Sequence, residues 1–286
     1  MKRRTLLWAA GGLTTPPALA LPYTLEDTDV VTVPAPALKR AYELYVSLPP
    51  GYAEGTQRYP VLYVTDAPYA FPLIRAIAGR VDRHGVGLAP FILVGLGYAK
   101  GDSGVVSRNR DYTPTARTPG RGEPDTVYGQ SLAYLAHLAD TAIPLVDARW
   151  RTDPKRRLYA GHSYGGLLGI QALLERPGLF SDFILGSPSL WFDKGQPFEA
   201  EQRHAKARRR LAARVRLYVG GLEIPSKARP NAKDMVGDAR RFVTQLRTRR
   251  HPGLDVALTV LDGEDHATVF PRLITQGLMW ALPKPR

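Results

Sequence analysis

Along this chain, uninterrupted apolar runs alternate with stretches in which apolar residues recur every three or four positions. Pro60-Val61-Leu62-Tyr63-Val64-Thr65 and residues 91–98 are of the first kind, as expected of strands buried on both faces. A helical pattern through Leu73, Ile74 and Ile77 separates them. Residues 131–150 carry Leu132, Leu135, Leu138 and Ile143 at helical spacing and lead into another apolar strand from Arg157. Strand-like runs return at 182–186, 215–220 and 256–261, with helical stretches between them. Strands alternating with helices predict an α/β fold whose central sheet is mostly parallel and flanked by helices on both faces. Two earlier runs, 30–33 and 41–48, read as short antiparallel strands, after which Pro49-Pro50-Gly51 turns the chain. Residues 99–124 fit neither pattern and read as a long polar loop. Residues 203–214 and 240–250 are arginine-rich and read as helical.

In a sheet of this kind ligands bind beyond the carboxyl ends of the strands. One sequence at that level carries chemistry. Leu158-Tyr159-Ala160 runs into Gly161-His162-Ser163-Tyr164-Gly165, and a helical segment through Leu167, Leu168 and Ile170 follows. Strand, Gly-x-Ser-x-Gly and helix is the order of a nucleophile elbow, in which a strained turn projects the serine and its neighbours must be small. A serine hydroxyl needs a histidine to take its proton and usually a carboxylate to orient that histidine. In this chain order both follow the serine. Of the histidines after Ser163, His204 lies within an arginine-rich helix and His251 ends another, beside Pro252-Gly253. His266 follows the last strand in Leu261-Asp262-Gly263-Glu264-Asp265-His266 and is the candidate base.

The acid should follow a strand between Ser163 and His266. Glu223 does so in Gly220-Gly221-Leu222-Glu223, with Asp193 as its competitor and a Ser-His dyad as the third arrangement. Glu264 and Asp265 read as solvated loop acids. An oxyanion needs two donors: the backbone N–H of Tyr164 is one, and Ala67 or Tyr69 supplies the other because Pro68 has none, with Ala67 preferred. Candidate substrate contacts are Tyr69, Tyr112 and Trp191, with Arg108 and Arg110 in the polar stretch, which also holds Arg117 and Arg121. Guanidinium groups pair with anionic oxygens and stack on aromatic rings.

Composition narrows the setting. Residues 1–20 open with Met1-Lys2-Arg3-Arg4, continue apolar from Leu6 to Leu13 and end in Ala18-Leu19-Ala20. That is the order of a secretory signal, too short to span a bilayer, with Arg3-Arg4 compatible with a twin-arginine as well as a general export signal. Residues 21–286 are then expected to be one catalytic domain, periplasmic or secreted. The chain has no cysteine, so disulfides and thiolate chemistry are excluded. The formal charge is +13, of which Lys2, Arg3 and Arg4 supply three. Such a surface could steer anionic ligands, but the basic runs lack interleaved aromatics and no nucleic-acid module is recognised. Neither a cofactor nor a metal site is expected.

Several stretches together carry a family resemblance: Val46-Ser47-Leu48-Pro49-Pro50-Gly51-Tyr52, Tyr59-Pro60-Val61-Leu62-Tyr63, Arg110-Asp111-Tyr112-Thr113-Pro114, the elbow, Ser187-Pro188-Ser189-Leu190-Trp191 and Asp265-His266. They resemble the esterase-D-like branch of the α/β-hydrolases, and most closely the enterochelin and bacillibactin esterases that cleave siderophore trilactones. The resemblance implies a serine esterase working through an acyl-enzyme, with nucleophile Ser163, base His266 and acid Glu223, and a small-molecule ester, such as a ferric siderophore, as substrate. The same branch holds general carboxylesterases, among them feruloyl and acetyl esterases, and acyltransferases of the mycolyltransferase type. A non-catalytic binding protein on the same fold is the alternative of another class, against which Ser163 and His266 stand together. One departure is Asp66-Ala67-Pro68, where many relatives carry Asp-Gly.

Overall fold

The computed structural model describes residues 24–116, 126–207 and 210–284. Eight strands form one sheet in the order β1-β2-β4-β3-β5-β6-β7-β8. Strands β1 (Thr28–Ala35) and β2 (Arg40–Ser47) pair antiparallel, and β2 pairs antiparallel with β4 (Ile92–Ala99). From β4 onward every pairing is parallel, through β3 (Tyr59–Val64), β5 (Thr152–His162), β6 (Asp182–Gly186), β7 (Ala213–Gly220) and β8 (Leu254–Leu261).

The alternation along β3 explains its unbroken apolar sequence. Val61 and Tyr63 enter the core on one face, and Leu62 and Val64 enter the core on the other. Helices α1 (Ala67–His84) and α8 (Val269–Ala281) cover the second face through Phe71, Ile74, Phe270 and Leu273. The first face is covered by α5 (Tyr164–Glu175), α7 (Met235–Arg249) and a helical run made of α3 (Ser131–His137), one wide turn and α4 (Ile143–Arg149). The wide turn, Leu138–Ala142, abuts Pro144, whose ring cannot donate to the preceding turn.

Two expectations change. The stretch read as a polar loop holds α2 (Gly104–Asp111), capped by Ser103, whose Oγ accepts the Val106 N–H. Apolar periodicity could not reveal it, because the residues it buries include Ser107, Asn109, Arg110 and Asp111. The basic run 203–214 is not one helix either: α6 (Phe192–Ala207) ends within it and Arg214 lies on β7. Residues 1–20, Arg117 and Arg121 lie outside the described residues. Among the described residues no helix is long and apolar enough to cross a membrane.

Candidate active site

Strand β5 ends at His162 and α5 begins at Tyr164, so Ser163 alone makes the turn. Its backbone sits at φ 59°, ψ −116°, a conformation that costs a side-chain-bearing residue of order 1–3 kcal/mol. The surroundings hold it there. Its N–H donates to the Gly186 carbonyl at 2.9 Å, and its own carbonyl accepts from Leu167 N–H at 2.9 Å. The flanking glycines are steric requirements: a Cβ on Gly161 would stand 2.5 Å from the Gly165 carbonyl, and one on Gly165 would stand 2.2 Å from Thr65 Oγ1.

Beyond β8, the turn that carries His266 brings its Nδ1 to 2.5 Å from Glu223 Oε2. Glu223 is 7% exposed, and its other oxygen accepts from Gly220 N–H at 2.8 Å and from Ser187 Oγ. A buried carboxylate is tolerated when its lone pairs are met in this way. Gly220 is needed for the approach, since a Cβ there would lie 2.5 Å from the Glu264 carbonyl oxygen. The His266 ring faces His162, with centroids 4.5 Å apart, which places the imidazole beside the elbow. With Nδ1 turned to Glu223, Nε2 is left for a hydroxyl.

The competing acid is elsewhere. Asp193 is exposed, on a left-handed stretch at the start of α6, and accepts from Thr115 Oγ1 at 2.6 Å. Glu264 pairs with Arg272 at 3.5 Å. Asp265 caps the next turn by accepting from Ala267 and Thr268 N–H, bonds that hold its carboxyl below the usual range.

The backbone amides of Ala67 and Tyr69 differ in their hydrogen bonding. Tyr69 N–H is already bonded to the Asp66 carbonyl at 3.0 Å. Ala67, the first residue of α1, has the unbonded amide typical of a helix start. Asp66, at φ 60°, turns the chain into that helix, and its neighbour Thr65 touches Gly165 of the elbow. Tyr164 N–H opens α5.

Beside this turn lies a cavity of about 210 Å³ lined by residues that include Asp66, Tyr69, Tyr98, Arg108, His162 and Phe270. Arg108 Nε is 2.8 Å from Asp66 Oδ1, and Tyr98 Oη donates to the same oxygen at 2.8 Å. Burial nevertheless raises the Asp66 carboxyl, against the opposing pull of Arg108, Tyr98 and Thr65. Tyr69 is half exposed, with its ring 5.3 Å from Phe270. On the other side, Trp191 is partly buried, its ring 6.4 Å from Tyr164 with the Lys233 ammonium 5.3 Å from its centroid.

Two expected substrate contacts are corrected. Arg110 is 3% exposed, and its guanidinium is taken up by Asp102 at 2.6 Å and Asp111 at 2.8 Å. Tyr112 is 1% exposed and packs its ring 5.9 Å from Tyr134. Both serve the inside of the fold, because α2 turns them away from solvent. Conversely, His162, Asp66, Tyr98, Phe270 and Ser187 reach the site without having been singled out. For His162 and Ser187 the signal was position, one at the end of β5 and one just after β6.

The Esterase family model matches residues 35–280. The chain belongs to the Esterase family. This esterase is therefore a hydrolase of carboxylic esters, and its sheet is that of the α/β-hydrolases. It is 29% identical over 277 residues to the ferri-bacillibactin esterase of Bacillus subtilis, covering 91% of each chain. It is 24% identical to a siderophore enterobactin esterase of Emericella nidulans, over 72% of this chain and 68% of the other. Among solved structures, the BES protein of Bacillus cereus superposes with a TM-score of 0.77 at 22% identity, over 93% of this chain and all of the other, a likeness of fold.

Proposed function

We propose that this esterase opens and hydrolyses the ester bonds of a catecholate-type siderophore lactone, with Ser163 as nucleophile. The observation that carries the reading is the strained Ser163 turn standing beside His266, itself held by buried Glu223. His266 Nε2 takes the hydroxyl proton as Oγ attacks the ester carbon. The N–H groups of Tyr164 and Ala67 meet the resulting oxyanion. Collapse breaks the carbon–oxygen bond of the ester, and the departing alkoxide takes the proton from His266. A water molecule then gives a proton to the same nitrogen as its oxygen attacks the acyl carbon, and Ser163 Oγ departs with that proton as the acid is released.

The substrate class is supported by the relatives named for bacillibactin and enterobactin and by the aromatic surfaces of Tyr69 and Trp191 on either side of the elbow. Arg108 contributes less charge than its sequence position promised, because Asp66 partly neutralises it. The export-signal pattern of residues 1–20 supports a location outside the cytoplasm, where imported ferric complexes arrive. A panel of free and ferric trilactones, feruloyl esters and acetyl esters tests the proposal. The trilactones should be cleaved with the highest kcat/KM. Equal or faster cleavage of simple aryl or acetyl esters would make this a general carboxylesterase, and dominant acyl transfer to added glycerol would make it an acyltransferase.

A further inference from the structure

Cations gather at the amino edge of the sheet, where strands begin and helices end, among carboxylates that include Asp82, Asp153 and Asp182. Lys155 and Arg156 lie near the start of β5, Arg214 at the start of β7, Arg83 on the last turn of α1 and Lys284 just beyond α8. Lys155, Arg156 and Arg214 line an open bowl of about 350 Å³, completed by Ser181, Asp182, Ala281 and Pro283. Asp182 is the bowl's single carboxylate and is paired with Arg214, so Lys155 and Arg156 leave the bowl net positive. Among the described residues, no carboxylate is within ion-pair reach of Lys155, Arg156, Arg83 or Lys284.

A helix dipole accounts for Arg83 at the end of α1. It also accounts for Arg156, whose guanidinium donates to the Ala281 carbonyl at the end of α8 at 2.9 Å, but not for Lys155 and Arg214, which stand on strands. Two apolar groups share this edge. Trp280 lies with the Arg214 and Arg216 guanidiniums 4.9 and 4.6 Å from its ring centroid. Val86, 74% exposed, projects from the loop after α1, next to Lys284, whose side chain would lie 2.7 Å from a Cβ on Gly87. Cations around an indole and an exposed aliphatic residue are the composition that settles at a charged bilayer interface.

We propose that the amino edge docks this protein on an anionic phospholipid surface, with a headgroup phosphate in the bowl and the carboxyl edge turned to the water. Each Lys or Arg brought to an acidic surface multiplies partitioning by about fivefold, equivalent to about 1 kcal/mol. The attraction is screened beyond about 10 Å at 0.1 M salt.

Co-sedimentation of the full chain with phosphatidylcholine vesicles, with and without phosphatidylglycerol, tests this. The parent should bind only the acidic vesicles and be released by sodium chloride. Lys155→Glu with Lys284→Glu should weaken binding by at least about 25-fold, two charges' worth. Lys227→Glu with Arg229→Glu, the same change of net charge at exposed positions after Glu223, should bind like the parent. Aryl-ester hydrolysis equal to the parent's confirms that each variant is folded. Binding to neutral vesicles as strong as to acidic ones, or equal loss in both double variants, would overturn the proposal. So would release by inorganic phosphate beyond that of sodium chloride at equal ionic strength, which would make free phosphate the occupant.

Discussion

At the scale of the residue, the site is a chain of dependencies that starts from Ser163 and ends in the turn after β6. Ser163→Ala and His266→Ala are each expected to lower kcat by several orders of magnitude, by analogy with other triads, in a simple aryl-ester assay. Ser187 is the more discriminating probe. Its hydroxyl bonds the Glu223 oxygen that does not face His266, and a hydrogen bond to a charged group contributes about 1.5 kcal/mol or more. Ser187→Ala should therefore cost about tenfold in kcat with KM little changed. Ser187→Thr should recover part of the loss, and a change confined to KM would speak against an orienting role. That Ser163, His266 and Glu223 would stand near one another was legible from chain order, because order and strand ends fix which residues reach the carboxyl edge. Ser187 and His162 were not, since their roles depend on which strand ends lie side by side.

At the scale of the element, the elbow and α2 show two ways in which packing decides what a motif means. The glycines flanking Ser163 are where they are because neighbouring backbone and Thr65 leave no room for a Cβ. Gly165→Ala should lower stability by about 1–3 kcal/mol, the usual cost of overpacking, and reduce activity in the fraction that folds, as read by urea denaturation and active-site titration. Helix α2 was hidden in the sequence because its buried face is polar. Arg110 looked like a ligand-seeking cation and is instead the partner of Asp111, a carboxylate with almost no exposure. Removing one member of a buried pair strands the other, at about 3–5 kcal/mol. Arg110→Met is expected to lose that much stability in denaturant unfolding while leaving KM per folded molecule unchanged. A raised KM at parental stability would restore Arg110 to the substrate site.

At the scale of the whole molecule, the alternation of strand and helix foretold the parallel sheet and its two cores, whereas the gathering of Lys155, Arg156 and Arg214 around one bowl needed the strands in place. The fold also carries a pH dependence. Burial, together with the positive charges of His266 and Arg108, pushes His162 down to about 3, and burial likewise lowers His137 against the pull of Asp111. With folded values below the ordinary imidazole range, the unfolded chain takes up these protons first as pH falls. Their stabilising effect is complete above about pH 6.5 and is lost as pH drops toward 3. Tm should decline through that window, and less steeply in His162→Gln. An identical decline in both would remove His162 from the explanation. The nucleophile itself can be seen by intact mass. In a cyclic lactone the departing alcohol stays tethered, so the first acyl-enzyme holds the entire opened ring. Rapid acid quench of the enzyme during turnover of a catecholate trilactone, followed by intact-mass and peptide analysis, should show an increment of one whole ligand on the peptide containing Ser163, absent in Ser163→Ala. Continued trilactone cleavage by Ser163→Ala at the parental rate, with no adduct on either protein, would contradict it.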